Sequence, residues 1–81
     1  MEGKGGIRME EYKIEMFRHG KWVRGHIPYV GSIQTLNTLK DAEYMVEIAK
    51  LKWHLHNCRE SDKPTDWQIM YREISPWRKA E

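Results

Sequence analysis

Two alternating stretches face each other across a two-residue turn, and that arrangement constrains this chain more than anything else in it. Tyr12-Lys13-Ile14-Glu15-Met16-Phe17-Arg18 leads into His19-Gly20, and Lys21-Trp22-Val23-Arg24-Gly25-His26-Ile27 returns. A two-residue hairpin loop fixes the register of the strands it joins. Met16 is then expected opposite Val23, Ile14 opposite Gly25 and Tyr12 opposite Ile27, forming a core face. The other face pairs Phe17 with Trp22, Glu15 with Arg24 and Lys13 with His26. Aromatic pairs and acid–base pairs of this kind stabilise neighbouring strands.

The remaining chain reads as one helix and one further strand. Residues 28–37 form a connector broken by Pro28 and Gly31, with room for a short extra strand between Val30 and Leu36. Thr38 is a good N-cap, and Asp41 stands where a capping box places its acid. The helix is predicted from Leu39 to about His56, ended by the polar segment 57–65. Trp67 to Ile74 reads as the last strand, with Ser75-Pro76 as its stop. Either of its faces can be inward, and Ile69 with Tyr71 is the preferred choice. A right-handed crossover through the helix brings this strand beside the first. The expected fold is α+β: a ββαβ chain with a three-stranded antiparallel sheet in the order 2-1-3 and one helix packed across it. Residues 1–10 read as a flexible N-terminal lead, 11–77 as a single domain and 78–81 as a charged C-terminal tail.

Size limits what such a domain can do. A chain of 81 residues buries only roughly 60% of its unfolded surface, so its core is marginal. Cys58 is the single cysteine, which excludes a disulfide framework. With no signal peptide in view, it predicts a reducing, cytoplasmic setting. No apolar run approaches the about 20 residues that cross a bilayer, so no membrane role is expected.

At about 100° per residue the helix carries two apolar rows. Leu39, Ala42, Met45, Val46, Ala49 and Trp53 form the wider, enough to cover a three-stranded sheet. Tyr44, Ile48, Leu51 and Leu55 form the narrower and need a separate explanation. Either the connector or the tail covers them, through Tyr29, Ile33, Leu36 or Trp77, or they are a self-association surface of a homodimer.

Chemistry-bearing motifs are sparse. His54, His56 and Cys58 have ligand chemistry in an H-x-H-x-C spacing, but on a helix His56 points roughly 200° away from His54. No metal and no cofactor is expected. Gly3-Lys4-Gly5-Gly6 lacks the strand and helix that would aim amides at a phosphate. Cys58 has no orienting Asn or Asp in a recognisable place, so no catalytic residues are assigned and an enzyme is not expected.

The net charge is +2, from 14 basic and 12 acidic residues, too balanced to imply nucleic acid by itself. The positive bias lies on the hairpin: residues 11–30 carry four basic and two acidic groups, residues 60–81 four and five. Its outer face presents Lys13, Phe17, Trp22, Arg24 and His26, a basic and aromatic mixture that suits a binding surface. Glu15 opposite Arg24 neutralises part of it.

The stretch from Tyr12 to Glu43, with strand, Gly-containing turn, strand and the helix entry Thr38-Leu39-Lys40-Asp41-Ala42-Glu43, resembles the small arm-type DNA-binding domain of tyrosine-recombinase integrases and its relatives in plant ethylene-response factors. That resemblance implies a three-stranded sheet packed on one helix and inserted into the DNA major groove, with Lys13, Trp22, Arg24 and His26 facing DNA. The chain departs from the family in having a strong strand after the helix and no clear third strand before it. The ββαβ layout also resembles short uncharacterised phage and prophage proteins. The expectation is a small non-enzymatic binding module, of a phage or mobile-element accessory kind, acting through protein–protein contacts. The alternative is a DNA-binding protein using the outer face of the sheet.

Overall fold

The computed structural model describes residues 9–74. Strand β1 (Met9–Arg18) is joined to β2 (Lys21–Arg24) by the expected turn, and both turn residues take left-handed backbone, His19 at φ 55° and Gly20 at 80°. Two positive φ values match the strand twist, which is why such a short loop holds its register. Glu15 stands opposite Arg24, Met16 opposite Val23 and Phe17 opposite Trp22, as the alternation predicts. The turn is also tied from outside: Asp62 Oδ1 lies 3.1 Å from His19 Nε2, and Arg18 Nε donates to the Asp62 carbonyl over 2.6 Å.

The expected register reaches Gly25, which keeps its place on Ile14, and ends there. Gly25 donates to the Ile14 carbonyl over 2.8 Å and accepts from the Ile33 N–H over 2.9 Å, so the chain pivots there. A Cβ at Gly25 would meet Ile14 Cγ2 at 3.0 Å and the Ile14 carbonyl oxygen at 3.1 Å. The missing side chain lets the backbone lie directly on Ile14. After the pivot, β3 (His26–Ile27) pairs with β4 (Gly31–Ser32) and not with β1. His26 therefore stands opposite Ser32 instead of Lys13, and Ile27 opposite Gly31 instead of Tyr12. Tyr12 is bridged by Leu36, with main-chain bonds of 2.8 Å in both directions. The short extra strand expected in the connector is β4.

Helix α1 (Leu39–Leu55) starts where expected: Thr38 Oγ1 accepts from the Asp41 N–H over 3.1 Å. His56, expected inside the helix, is its extended C-cap. A 3-10 turn at Glu60–Asp62 follows. Strand β5 (Asp66–Ile74) then runs antiparallel to β1, which completes a sheet in the order β2-β1-β5. The fold is the expected α+β one, with the last strand beside the first. Strand β1 begins two residues earlier than expected, because Met9 and Glu10, placed in the lead, pair with Ile74 and Glu73. The stop at Ser75-Pro76, Trp77, the tail and the rest of the lead lie outside the described residues.

The core lies between sheet and helix. Ile14 and Met16 from β1, Ile27, Ile33, and Ala42, Val46, Ala49 and Trp53 from α1 are buried. Full burial of side chains the size of Ile14 and Met16 contributes about 1.5–3 kcal/mol each. Met45, Leu36, Ile48, Trp67 and Ile69 are half-buried around them, Ile48 and Ile69 included in the packing. Leu39, predicted in the covered row, stays exposed in the first helical turn. Ile69 faces inward opposite Ile14, as expected. Tyr71 shares that face opposite Tyr12 but remains half-exposed, and the two rings meet tilted by 37° with centroids 5.1 Å apart. No described helix is long and apolar enough to cross a membrane.

Candidate functional site

Three surfaces remain once the core is accounted for. The first is the outer sheet face. The hairpin register brings Lys13, Phe17, Trp22 and Arg24 together there, with the Phe17 and Trp22 rings edge-to-face at 5.2 Å. Its carboxylates are already engaged. Glu15 pairs with Lys13 at 3.5 Å and accepts from Gln68 Nε2 at 2.7 Å. Glu11 pairs with Arg72 at 2.9 Å. Arg24 Nε donates to the Ile33 carbonyl over 3.2 Å, so the predicted Glu15–Arg24 neighbours share a register position without an ion pair. His26, predicted on this face, is absent from it: the pivot at Gly25 turns its ring to the helix side, 5.2 Å from Trp53.

The second surface is the back of α1. Tyr44, Leu51 and Leu55 are 66%, 56% and 70% exposed. On the helical wheel they fall within about 40° of one another and diametrically opposite Trp53. Ile48 lies at the margin, half-buried against the core. The connector does not cover this row: Ile33 and Leu36 pack into the core, and Tyr29 points out to solvent at 97% exposure. Asp41 and Lys52 lie along one flank of the row and have no ion-pair partner among the described residues.

The third surface was not singled out from the sequence. Trp53, buried at the end of α1, gathers Arg18, His26 and His56 around its indole. The Arg18 guanidinium lies 4.9 Å over the ring, and the two imidazoles meet it edge-to-face at 5.2 and 5.6 Å. Trp53 Nε1 donates to the His26 carbonyl over 2.8 Å. Tyr29 meets His56 at 5.2 Å. Burial, then the neighbouring Arg18 charge, hold the His26 imidazole below its ordinary pKa. A shallow cleft lined by these groups and by Pro28 opens between the β3–β4 turn and the helix end. Extending the hairpin register past Gly25 hid this cleft, since it sent His26 to the opposite face. The usable signal was Gly25 itself, a residue without a side chain at a core-facing position.

His54 is exposed, whereas His56 turns to Trp53 and Tyr29, so the H-x-H-x-C residues diverge. Among the described residues no three His, Cys, Asp or Glu side chains gather where they could hold a metal ion. No family model, curated protein or solved structure matches the chain.

Proposed function

We propose that this chain is a small non-enzymatic binding module that works through protein–protein contacts, and that the partner seated on the back of α1 is a second copy. The exposed row of Tyr44, Leu51 and Leu55 carries this reading. Contiguous apolar patches of this kind mark interaction sites. Charge favours a two-fold, antiparallel arrangement of the two helices. That pairing sets Tyr44 against Leu51 of the second copy and Asp41 near its Lys52, which gives both unpaired charges a partner. Closing the row buries six large side chains, on the order of 10 kcal/mol of gross gain. Association costs about 4–15 kcal/mol, so even the lowest cost leaves about −6 kcal/mol and the pair is a weak one, in the range of about tens to hundreds of micromolar.

Sedimentation velocity over micromolar concentrations tests this. Wild type should move from monomer to dimer, and Leu51→Glu should stay monomeric with an unchanged melting temperature. A wild type that remains monomeric at hundreds of micromolar refutes the reading.

DNA binding by the outer sheet face is the second reading, favoured by Lys13, Phe17, Trp22 and Arg24 sharing one surface. The carboxylates of Glu11 and Glu15 in the same sheet weigh against it, since they oppose the phosphate attraction on which such binding rests. Fluorescence anisotropy with mixed duplexes separates the two: nanomolar affinity at physiological salt, lost in Trp22→Ala/Arg24→Ala, promotes DNA over self-association.

A further inference from the structure

The cleft at the end of α1 has a chemistry of its own, independent of whether the chain self-associates. Its charged and titratable side chains are Arg18, His26 and His56, together with the Tyr29 phenol, and no carboxylate lines it. Arg18 is held in place by two contacts that leave its charge unanswered. Nε is bound to the Asp62 carbonyl and the guanidinium face rests on Trp53. Both Nη groups are without a hydrogen-bond partner among the described residues, and so are the ring nitrogens of His26 and His56. The nearest acid in this network, Asp62, directs its carboxylate to His19. A positioned guanidinium with both ends free is a fork for an anion with several oxygens.

The lip of the cleft adds a flat surface. Val30 donates to the Ile27 carbonyl over 3.0 Å, closing a turn with Pro28 and Tyr29 at its centre. Tyr29 occupies the position of that turn which favours glycine, at φ 69°. A tyrosine held in left-handed backbone, with its ring almost wholly in water, has one contact with His56 to set against that strain. Its ring meets His56 in a T-shaped contact and is otherwise open to solvent.

We infer that this cleft is a nucleotide-binding site, in which Arg18 and the two imidazoles take the phosphate and Tyr29 stacks on the base. Phosphate oxygens match the free Nη donors, and a base supplies the planar partner that an exposed aromatic ring on a turn selects. The same chemistry is offered by a free nucleoside monophosphate and by a nucleotide within a single strand.

Titration of the full chain with AMP, adenosine, inorganic phosphate and a short single-stranded oligonucleotide, followed by NMR of the indole N–H resonances, tests this. Of the four tryptophans, Trp53 should shift most on adding AMP, with adenosine and phosphate each binding at least about tenfold more weakly. Tighter binding of the oligonucleotide per nucleotide identifies the single strand as the source, and tighter binding of AMP identifies the free nucleotide. Tyr29→Gly relieves the left-handed strain, so its melting temperature should hold or rise while its affinity falls about tenfold, the loss of one stacking contact. Arg18→Gln should lose the preference for AMP over adenosine. An unmoved Trp53 resonance at millimolar AMP and oligonucleotide overturns the proposal, as does a Tyr29→Gly variant that binds as tightly as wild type.

Discussion

The indole N–H of Trp53 donates to the main-chain carbonyl of His26 over 2.8 Å. One bond thereby joins the last turns of the helix to the strand that leaves the sheet at Gly25. It satisfies a donor that burial of Trp53 would otherwise strand, and it explains why a tryptophan suits the end of the covered helical row better than a leucine.

Trp53→Phe keeps most of the apolar volume and deletes that bond. The expected cost is about 1–3 kcal/mol, from the unpaired His26 carbonyl and the space left by the smaller ring. Urea unfolding measures it, and a midpoint equal to wild type would show that the bond contributes nothing.

Val46 is buried in the centre of the helical row that meets β1. Val46→Asp forces an unpaired carboxylate into apolar packing, which costs several kcal/mol against a total stability of about 5–15 kcal/mol. The variant should be unfolded by circular dichroism at room temperature, while Glu47→Ala, one position on and exposed, should melt like wild type.

Gly25→Ala and Gly20→Ala should differ in kind. An alanine Cβ at Gly25 meets Ile14 at 3.0 Å and Ile33 Cδ1 at 3.3 Å, so about 1–3 kcal/mol of overpacking is expected. At Gly20 nothing lies within 4 Å, and only the φ of 80° resists, at about 1 kcal/mol. Thermal melts of the two variants should rank Gly25→Ala as the less stable.

Acid should weaken the fold through His26. Its neighbours are Arg18 from β1, His56 beyond the helix and Trp53, none of which offers a negative charge. The unfolded chain takes up this proton near the ordinary 6.5, the folded chain only at lower pH. Stability from the neutral imidazole is therefore present above about pH 6.5 and is lost as pH falls through the lowered value. His26→Gln should flatten that part of a stability–pH curve measured by urea unfolding.

At the alkaline end, loss of hydration around its ring, then the hydrogen bond to Glu73, push Tyr71 up to about 12. Tyr12 is raised too, by burial and then by Glu10. The folded state favours both neutral phenols, so this stabilisation is full below pH 10 and fades as pH rises toward 12. Tyrosinate absorbance should show a late-titrating component that Tyr71→Phe removes.

Local signals carried much of the fold. His19-Gly20 set the pairing of Phe17 with Trp22 because a two-residue loop leaves one register, and Thr38 marked the helix start because a side-chain acceptor is needed there. The place of β5 followed from the crossover rule, whereas alternation alone left both of its faces open and Ile69 was the preferred of two choices. The pivot at Gly25 was out of reach, since it depends on two connector residues arriving from later in the chain: Ile33, which bonds the Gly25 carbonyl, and Leu36, which takes the place opposite Tyr12 expected of Ile27. Pairing of Met9 with Ile74 likewise rests on a contact between distant segments. On the candidate surfaces, Lys13, Phe17, Trp22 and Arg24 were legible from the register. The Trp53 cleft was not, because it is assembled from β1, β3, a turn and a helix end that no single periodicity links.

The central strand of the sheet is made first and completed last. Residues of β1 find their β2 partners within a few positions, but Tyr12 to Phe17 must wait for residues 66–71 to close the other side. Until those residues emerge from the ribosome, a nascent chain holds a hairpin with one bare edge and an apolar face that the helix and the connector only partly cover. Such edges invite pairing with the wrong strand. Closing contacts this far apart in sequence makes folding slow for a chain of this size. Synthesis rate and the company of chaperones should therefore govern the yield of this protein more than its final stability does, and a chain cut short before Asp66 should accumulate as aggregate and not as a smaller folded unit.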